Sequence, residues 1–166
     1  MATAASVPKE LTTTVSIFNA NTQLFEKTVQ GLSDEKWRAQ PGPDSNPLFW
    51  IAGHVVVHRA LVSRIVGMEW SAPWEKLFAR GTKRLDAEAY PAPSEILTAW
   101  NEVSAKLSPA FDRMTPEFLS RPKLEGAMSL DGTVGGTVSV LSLHEAYHIG
   151  QMAYIRKWLG YGQTIG

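Results

Sequence analysis

The chain of 166 residues contains no cysteine. That absence excludes a disulfide framework, a cysteine-ligated zinc site and a cysteine nucleophile. An excess of charge of one sign is missing too, because 16 Lys and Arg balance 16 Asp and Glu. A balanced surface gives no electrostatic reason to expect nucleic acid or an anionic membrane as partner. No apolar run approaches the roughly 20 residues of a membrane span. The opening MATAASVPKE has neither the basic nor the long apolar region of a signal peptide. A soluble, cytoplasmic protein is the expectation. There is no internal repeat, no low-complexity segment and no phosphate-binding loop. Histidine is scarce as well, with 4 in the whole chain.

What is present fits one domain over residues 1–166, with 44% hydrophobic residues to build a core. Six tryptophans are many for this length and point to aromatic pocket walls or an interface as well as core. Residues 9 to 31 carry Leu11, Val15, Phe18, Leu24, Phe25 and Val29 near one helical stripe, with Gly31 to end it. SDEKW follows as a short turn with acids at its start. PGPDSN at 41–46 is a turn cluster, and Asn46 then Pro47 suit the cap and first position of a second helix running to Gly67. Its stripe includes Ile51, Val55, His58, Val62 and Ile65, with His54 beside it.

Residues 68 to 93 form a long connection with Trp70, Trp74 and Phe78, and one short helix is expected around PWEKLFA. A third helix restarts at Ser94 and runs to about Met114. Residues 115 to 135 are rich in Pro and Gly, and MSLDGTVGG suits a small hairpin or an irregular loop. A fourth helix, Thr137 to about Leu159, is striped through Val140, Leu141, His144, His148, Met152 and Ile155. Four long helices without convincing strands predict an all-α four-helix bundle. The second connection far exceeds the roughly 2–8 residues usual between antiparallel neighbours. It allows helices two and three to lie parallel, in up-down-down-up order.

The four histidines fall into two pairs, His54/His58 and His144/His148. Positions four apart on a helix share a face, with Cβ atoms about 5–6 Å apart, so two imidazoles can address one ion. A lone histidine on an apolar stripe is usually satisfied by one hydrogen bond. Four on two stripes are harder to satisfy, since each buried imidazole needs partners for both nitrogens. HEAYH also reads as H-E-x-x-H, the zincin motif, but the residues after His148 include no His, Asp or Glu to complete that site. Glu145 and His148 read as E-x-x-H, yet a di-iron site needs a second such motif and further glutamates. Residues three before the other histidines are Ile51, Val55 and Leu141, and residues 47–67 carry no carboxylate. A mononuclear site remains, with His144 and His148 from one helix and a third nitrogen from His54 or His58. Three neutral imidazoles leave a position for water or substrate, the plan of a catalytic site. Softness and ligand count do not choose among Zn, Ni, Fe and Co.

FWIAGHVVVHRALVSRIVG followed by HEAYHIGQ in the last helix resembles the DinB-like superfamily of metalloenzymes. SDEKW and PGPDSN before the second helix, and RKWLGYG at the end, keep the same order. The resemblance implies an up-down-down-up four-helix bundle with a three-histidine metal site, and it makes His54, His144 and His148 the ligands. The divalent ion expected is Zn or Ni, with Fe, Co and Mn behind them. His58 is an additional histidine at a variable position: a donor to a ligand, an alternative ligand or a proton shuttle. Gln151 shares a face with His148, and its plainest role is a hydrogen bond to a ligand histidine or a neighbouring helix. Glu145 has three readings: partner of a ligand, general base, or surface carboxylate, the last preferred. His58, Glu145 and Gln151 are thus the candidates for a catalytic role. Tyr147 and Tyr154 are read as core packing, and Arg59, Arg64 and Arg156 as solvated helix-face residues.

Characterised members of that superfamily include S-transferases and a maleylpyruvate isomerase that use low-molecular-weight thiols. The resemblance therefore implies a metal-dependent enzyme performing thiol S-transfer, with metal-assisted hydrolysis as the second chemistry. A metal-containing binding or stress-response protein without turnover is the reading from another class. The partners expected are a small-molecule substrate, such as a low-molecular-weight thiol, and a second copy of the chain as a homodimer.

Overall fold

The computed structural model describes residues 7–79, 81–83 and 85–164; residues 1–6, part of the segment read for a signal peptide, lie outside them. Among the described residues every regular element is helical, so the chain is all-α, as expected. After a 3-10 turn at Lys9–Leu11 come α1 (Thr12–Val29), the short α2 (Asp34–Trp37), α3 (Leu48–Ile65), α4 (Pro93–Phe111), the short α5 (Pro116–Leu119) and α6 (Val134–Trp158). Gly31, with φ of 75°, makes the left-handed turn that closes α1, a conformation other residues adopt at a cost.

Three helix starts differ from expectation, each for a local reason. Pro47 has an extended ψ of 159° and so stands outside α3, which begins one residue later at Leu48 without a side-chain cap from Asn46. α4 begins at Pro93, and the Glu95 carboxylate accepts from the Ala92 N–H at 2.8 Å. α6 begins three residues before Thr137, because Thr133 Oγ1 accepts from Gly136 N–H at 3.0 Å and caps the helix there. Asp131 in turn accepts from the backbone and hydroxyl of Thr133 at 2.9 and 2.7 Å. A Cβ at Gly136 would fall 2.0 Å from Asp131 Oδ1, so glycine is what lets this acid approach. Apart from α5, residues 115–133 are irregular, with an isolated bridge between Pro122 and Thr133 in place of a hairpin.

α3 and α1 each pack against both α6 and α4. α3 is apolar enough, and at 18 residues long enough, to cross a membrane by length and composition, but 67% of it is buried inside the fold. Leu48, Ala52, Val55, Val56 and Ala60 on α3 are fully covered. One apolar cluster joins Phe25 and Val29 to Leu48, Ile51, Ala52, Val55, Val56, Ile96, Trp100 and Met152. A second joins Val15 and Phe18 to Val62, Leu107, Phe111 and Val138. Burying each such side chain contributes about 1.5–3 kcal/mol. The long connection after α3 folds back onto it through a 3-10 turn at Glu75–Phe78, where a short helix is expected. Phe78 is fully buried beside Gly53, where an added Cβ would stand 2.3 Å from its ring.

Candidate metal centre

The middle turns of α3 and α6 bring all four histidines together. Ring centroids of His54 lie 4.2, 5.3 and 4.8 Å from those of His58, His144 and His148, and His58 stands 4.0 Å from His144. His54 is buried, stacked on Trp50 at 5.0 Å, while the other three are half-buried. One ring nitrogen from each of His54, His58 and His144 lies within 4.8 Å of the other two.

The hydrogen bonds decide which nitrogen each ring turns to its neighbours. His54 Nδ1 is 2.8 Å from the Phe78 carbonyl, His58 Nδ1 is 2.9 Å from the His54 carbonyl, and His148 Nδ1 is 2.8 Å from Gln151 Oε1. Those oxygens only accept, so all three imidazoles carry their proton on Nδ1 and present a bare Nε2. Gln151 is itself oriented by donating from Nε2 to the Tyr147 hydroxyl at 3.1 Å. His144 differs, since its buried Nδ1 has no hydrogen-bond partner. Its Nε2 lies 3.2 Å from the bare Nε2 of His148. Two nitrogens at ~2.1 Å from a tetrahedral ion stand about 3.4 Å apart, so this spacing suits a shared cation.

Burial lowers every one of these imidazoles. His54 is pushed down to about 4 and His144 to about 3, with neighbouring histidines adding to the burial effect. His58 and His148 are also lowered, burial being the leading cause in both. All four are therefore neutral at pH 7, the state in which an imidazole can bind metal. The residues present fit a divalent ion: His54, His58 and His144 bring three uncharged ring nitrogens within 4.8 Å of one another, two of these rings having the other nitrogen tied off by an acceptor, and His148 adjoins that group through His144.

Several expectations require correction. Glu145 is not a surface carboxylate, and Arg59 is not solvated: each is 1% exposed, and they form an ion pair across the fold. Arg59 Nε and Nη2 donate to the two Glu145 oxygens. Nη1 donates to Thr22 at 2.7 Å and Ser104 at 2.6 Å, and Nη2 donates to the Phe18 carbonyl at 3.1 Å. The guanidinium lies 3.7 Å over the Trp100 ring. All five of its N–H groups have partners, drawn from α1, α4 and α6. With both oxygens held by Arg59, Glu145 is not placed as a general base. Arg156 is not solvated either: it is half-buried and donates to the carbonyls of Thr28 and Gln30 at the end of α1. Arg64 is the exposed one, paired with Glu75 at 2.6 Å.

Tyr147 and Tyr154 are not core residues either, at 63% and 62% exposed. With Gln151, Ile51, Ile155 and the 41–46 turn they border a cleft of about 590 Å³. Gln151 thus faces the cleft and holds His148 at once.

A family model of the DinB superfamily matches residues 17–152, a stretch that contains all four histidines. The chain belongs to the DinB superfamily. No curated protein matches it. The DinB-superfamily stretch opens within α1 and closes just after Gln151, so it takes in the whole donor set and the helices that carry it. It also includes the partners that sequence reasoning missed: Gly53, Phe78 and the Arg59–Glu145 pair. A signal for that pair was present. Arg59 interrupts an apolar run on a helix without a carboxylate, and Glu145 is the carboxylate of α6.

Proposed function

We propose that this chain is a divalent-metal-dependent enzyme whose ion is held by His54, His144 and His148, with thiol S-transfer as its reaction. The observation that carries the reading is the convergence of imidazoles from α3 and α6, with Nδ1 of His54 and of His148 tied off and Nε2 of His144 3.2 Å from that of His148. A bound Zn or Ni supplies Lewis acidity, which brings the pKa of a coordinated water or thiol towards neutrality. The histidines contribute no negative charge, and the neighbouring Glu145 is engaged by Arg59. An anion such as a thiolate is therefore the favoured incoming partner.

The surrounding residues would seat a small molecule. In the cleft lined by Gln151, which holds His148, Ile51 and Ile155 offer an apolar floor and Tyr147 and Tyr154 offer flat, exposed walls. Tyr147, accepting from Gln151, keeps its own hydroxyl proton for a substrate group. The frame is read as one up-down-down-up four-helix bundle. In support, α1 and α6 place their starts in the second apolar cluster and their ends in the first, while α3 and α4 do the reverse. The 66–92 connection then serves as the crossover between parallel α3 and α4.

One observation favours a second reading, a metal-binding protein without turnover: a fourth imidazole stands where three would leave an ion open. Metal analysis of the purified protein, then a thiol-transfer assay over a panel of cellular thiols, separates the two. Enzyme function requires about one divalent ion per chain and a rate for the loaded protein above apo and His148→Ala protein. Equal rates in all three would leave binding without turnover, and the absence of any ion would overturn both readings.

A further inference from the structure

His58 stands outside the ligand set His54, His144 and His148, yet its geometry is that of a donor. Its Nδ1–H is tied to the His54 carbonyl at 2.9 Å, which leaves Nε2 without a proton. Its ring sits among the other imidazoles, 4.0 Å from His144 and 4.2 Å from His54. A ring nitrogen of His58 lies within 4.8 Å of those of both His54 and His144. Among the described residues no hydrogen-bond donor reaches its Nε2. The adjacent Arg59 is no candidate, because every N–H of its guanidinium is already bound to Glu145, Thr22, Ser104 or the Phe18 carbonyl. A half-buried acceptor nitrogen without a donor is satisfied by a cation.

We propose that His58 is itself a metal ligand, so that the site is a four-imidazole one built from two i, i+4 pairs, His54/His58 and His144/His148. The proposal rests on the metal-binding reading above, but not on any catalytic activity. An all-nitrogen, uncharged donor set favours the later divalent ions, Ni, Cu and Zn, over Mg and Mn, which prefer oxygen. It also leaves a four-coordinate ion with no vacant position. A substrate donor then has to add as a fifth ligand or displace one imidazole. Of the four, His148 is the histidine anchored by a side chain, Gln151, and not by a backbone carbonyl.

The test uses the full chain loaded with Co(II), whose visible absorption reports coordination number and donor type, and Zn(II) affinity by chelator competition. Two variants are compared with the wild type. His58→Ala removes the ring, and His58→Asn keeps an N–H for the His54 carbonyl while removing Nε2. Circular dichroism and the urea midpoint of the apo proteins establish that each variant is folded. The expected result is a changed Co(II) spectrum in both variants and a loss of Zn(II) affinity beyond the 10–100-fold typical of residues that only support a ligand. If both folded variants keep the wild-type Co(II) spectrum, His58 is not a ligand. A wild-type protein that binds no ion overturns the metal reading as a whole, and is distinguished from that outcome before any variant is measured.

Discussion

Glu145→Leu removes the acceptor of two of the five Arg59 hydrogen bonds and leaves a guanidinium 1% exposed without its counter-charge. Breaking a buried ion pair from one side typically costs about 3–5 kcal/mol, because the remaining charge stays in a medium that solvates it poorly. That is a large share of the roughly 5–15 kcal/mol that holds a domain folded. For a chain of this length each kcal/mol moves the Tm by about 2–4 °C, so a fall of order 10 °C is expected. Arg59→Met should cost a similar amount by stranding Glu145, and it also removes the bonds to Thr22, Ser104 and the Phe18 carbonyl. The double variant Arg59→Met/Glu145→Leu strands neither charge and should recover much of the loss, which a double-mutant cycle reads as coupling. Urea denaturation at pH 7, with the m-value held constant, is the assay. A Glu145→Leu protein within about 1 kcal/mol of wild type would refute the account of Arg59 and Glu145 as a buried pair linking the helices.

Three further outcomes are expected. Gly53→Ala places a methyl where the Phe78 ring lies, 2.3 Å from its Cε1, and displaces the carbonyl that holds His54 Nδ1. It should destabilise the fold by about 1–3 kcal/mol and weaken metal binding, while the wider-spaced Gly150→Ala, which meets no atom within 4 Å, bears only its change in helix propensity. In metal-free protein, His54 titrates at about 4 when folded and near 6.5 when unfolded, so the unfolded chain takes up protons first. Its contribution is fully present above pH 6.5 and is lost as pH falls towards 4, roughly 2–3 kcal/mol that urea midpoints between pH 7 and 4 should follow; a flat profile would contradict burial of the neutral ring. Gln151→Ala frees His148 Nδ1 and should lower metal affinity about 10–100-fold without moving the urea midpoint by more than about 1 kcal/mol.

Helices and candidate donors were legible because both follow the local 3.6-residue period. Apolar stripes located four long helices, and two histidine pairs at a spacing of four marked one face on each of two of them. Glycine, proline and capping residues placed helix ends within a few residues, and failed where a cap depended on contacts beyond the sequence neighbours. Thr133 opens α6 early because Asp131 reaches it through the space that Gly136 leaves.

The sequence alone determined the all-α class, the family and the donor residue types, since these depend on composition, periodicity and motif. Only the tertiary structure decided that both histidine pairs meet and that three of their rings turn Nε2 inward. The acceptor for His54, the Phe78 carbonyl, lies 24 residues away along the chain. Arg59 and Glu145 are 86 apart, and their pairing inverts the solvated reading that each invites by itself. A charged side chain is placed inside or outside by the partner that packing supplies, and helix packing brings that partner from another part of the chain. Tyr147 and Tyr154 show the converse: they read as core packing, yet at 63% and 62% exposed they lie on a face of α6 that helix packing leaves open among the described residues.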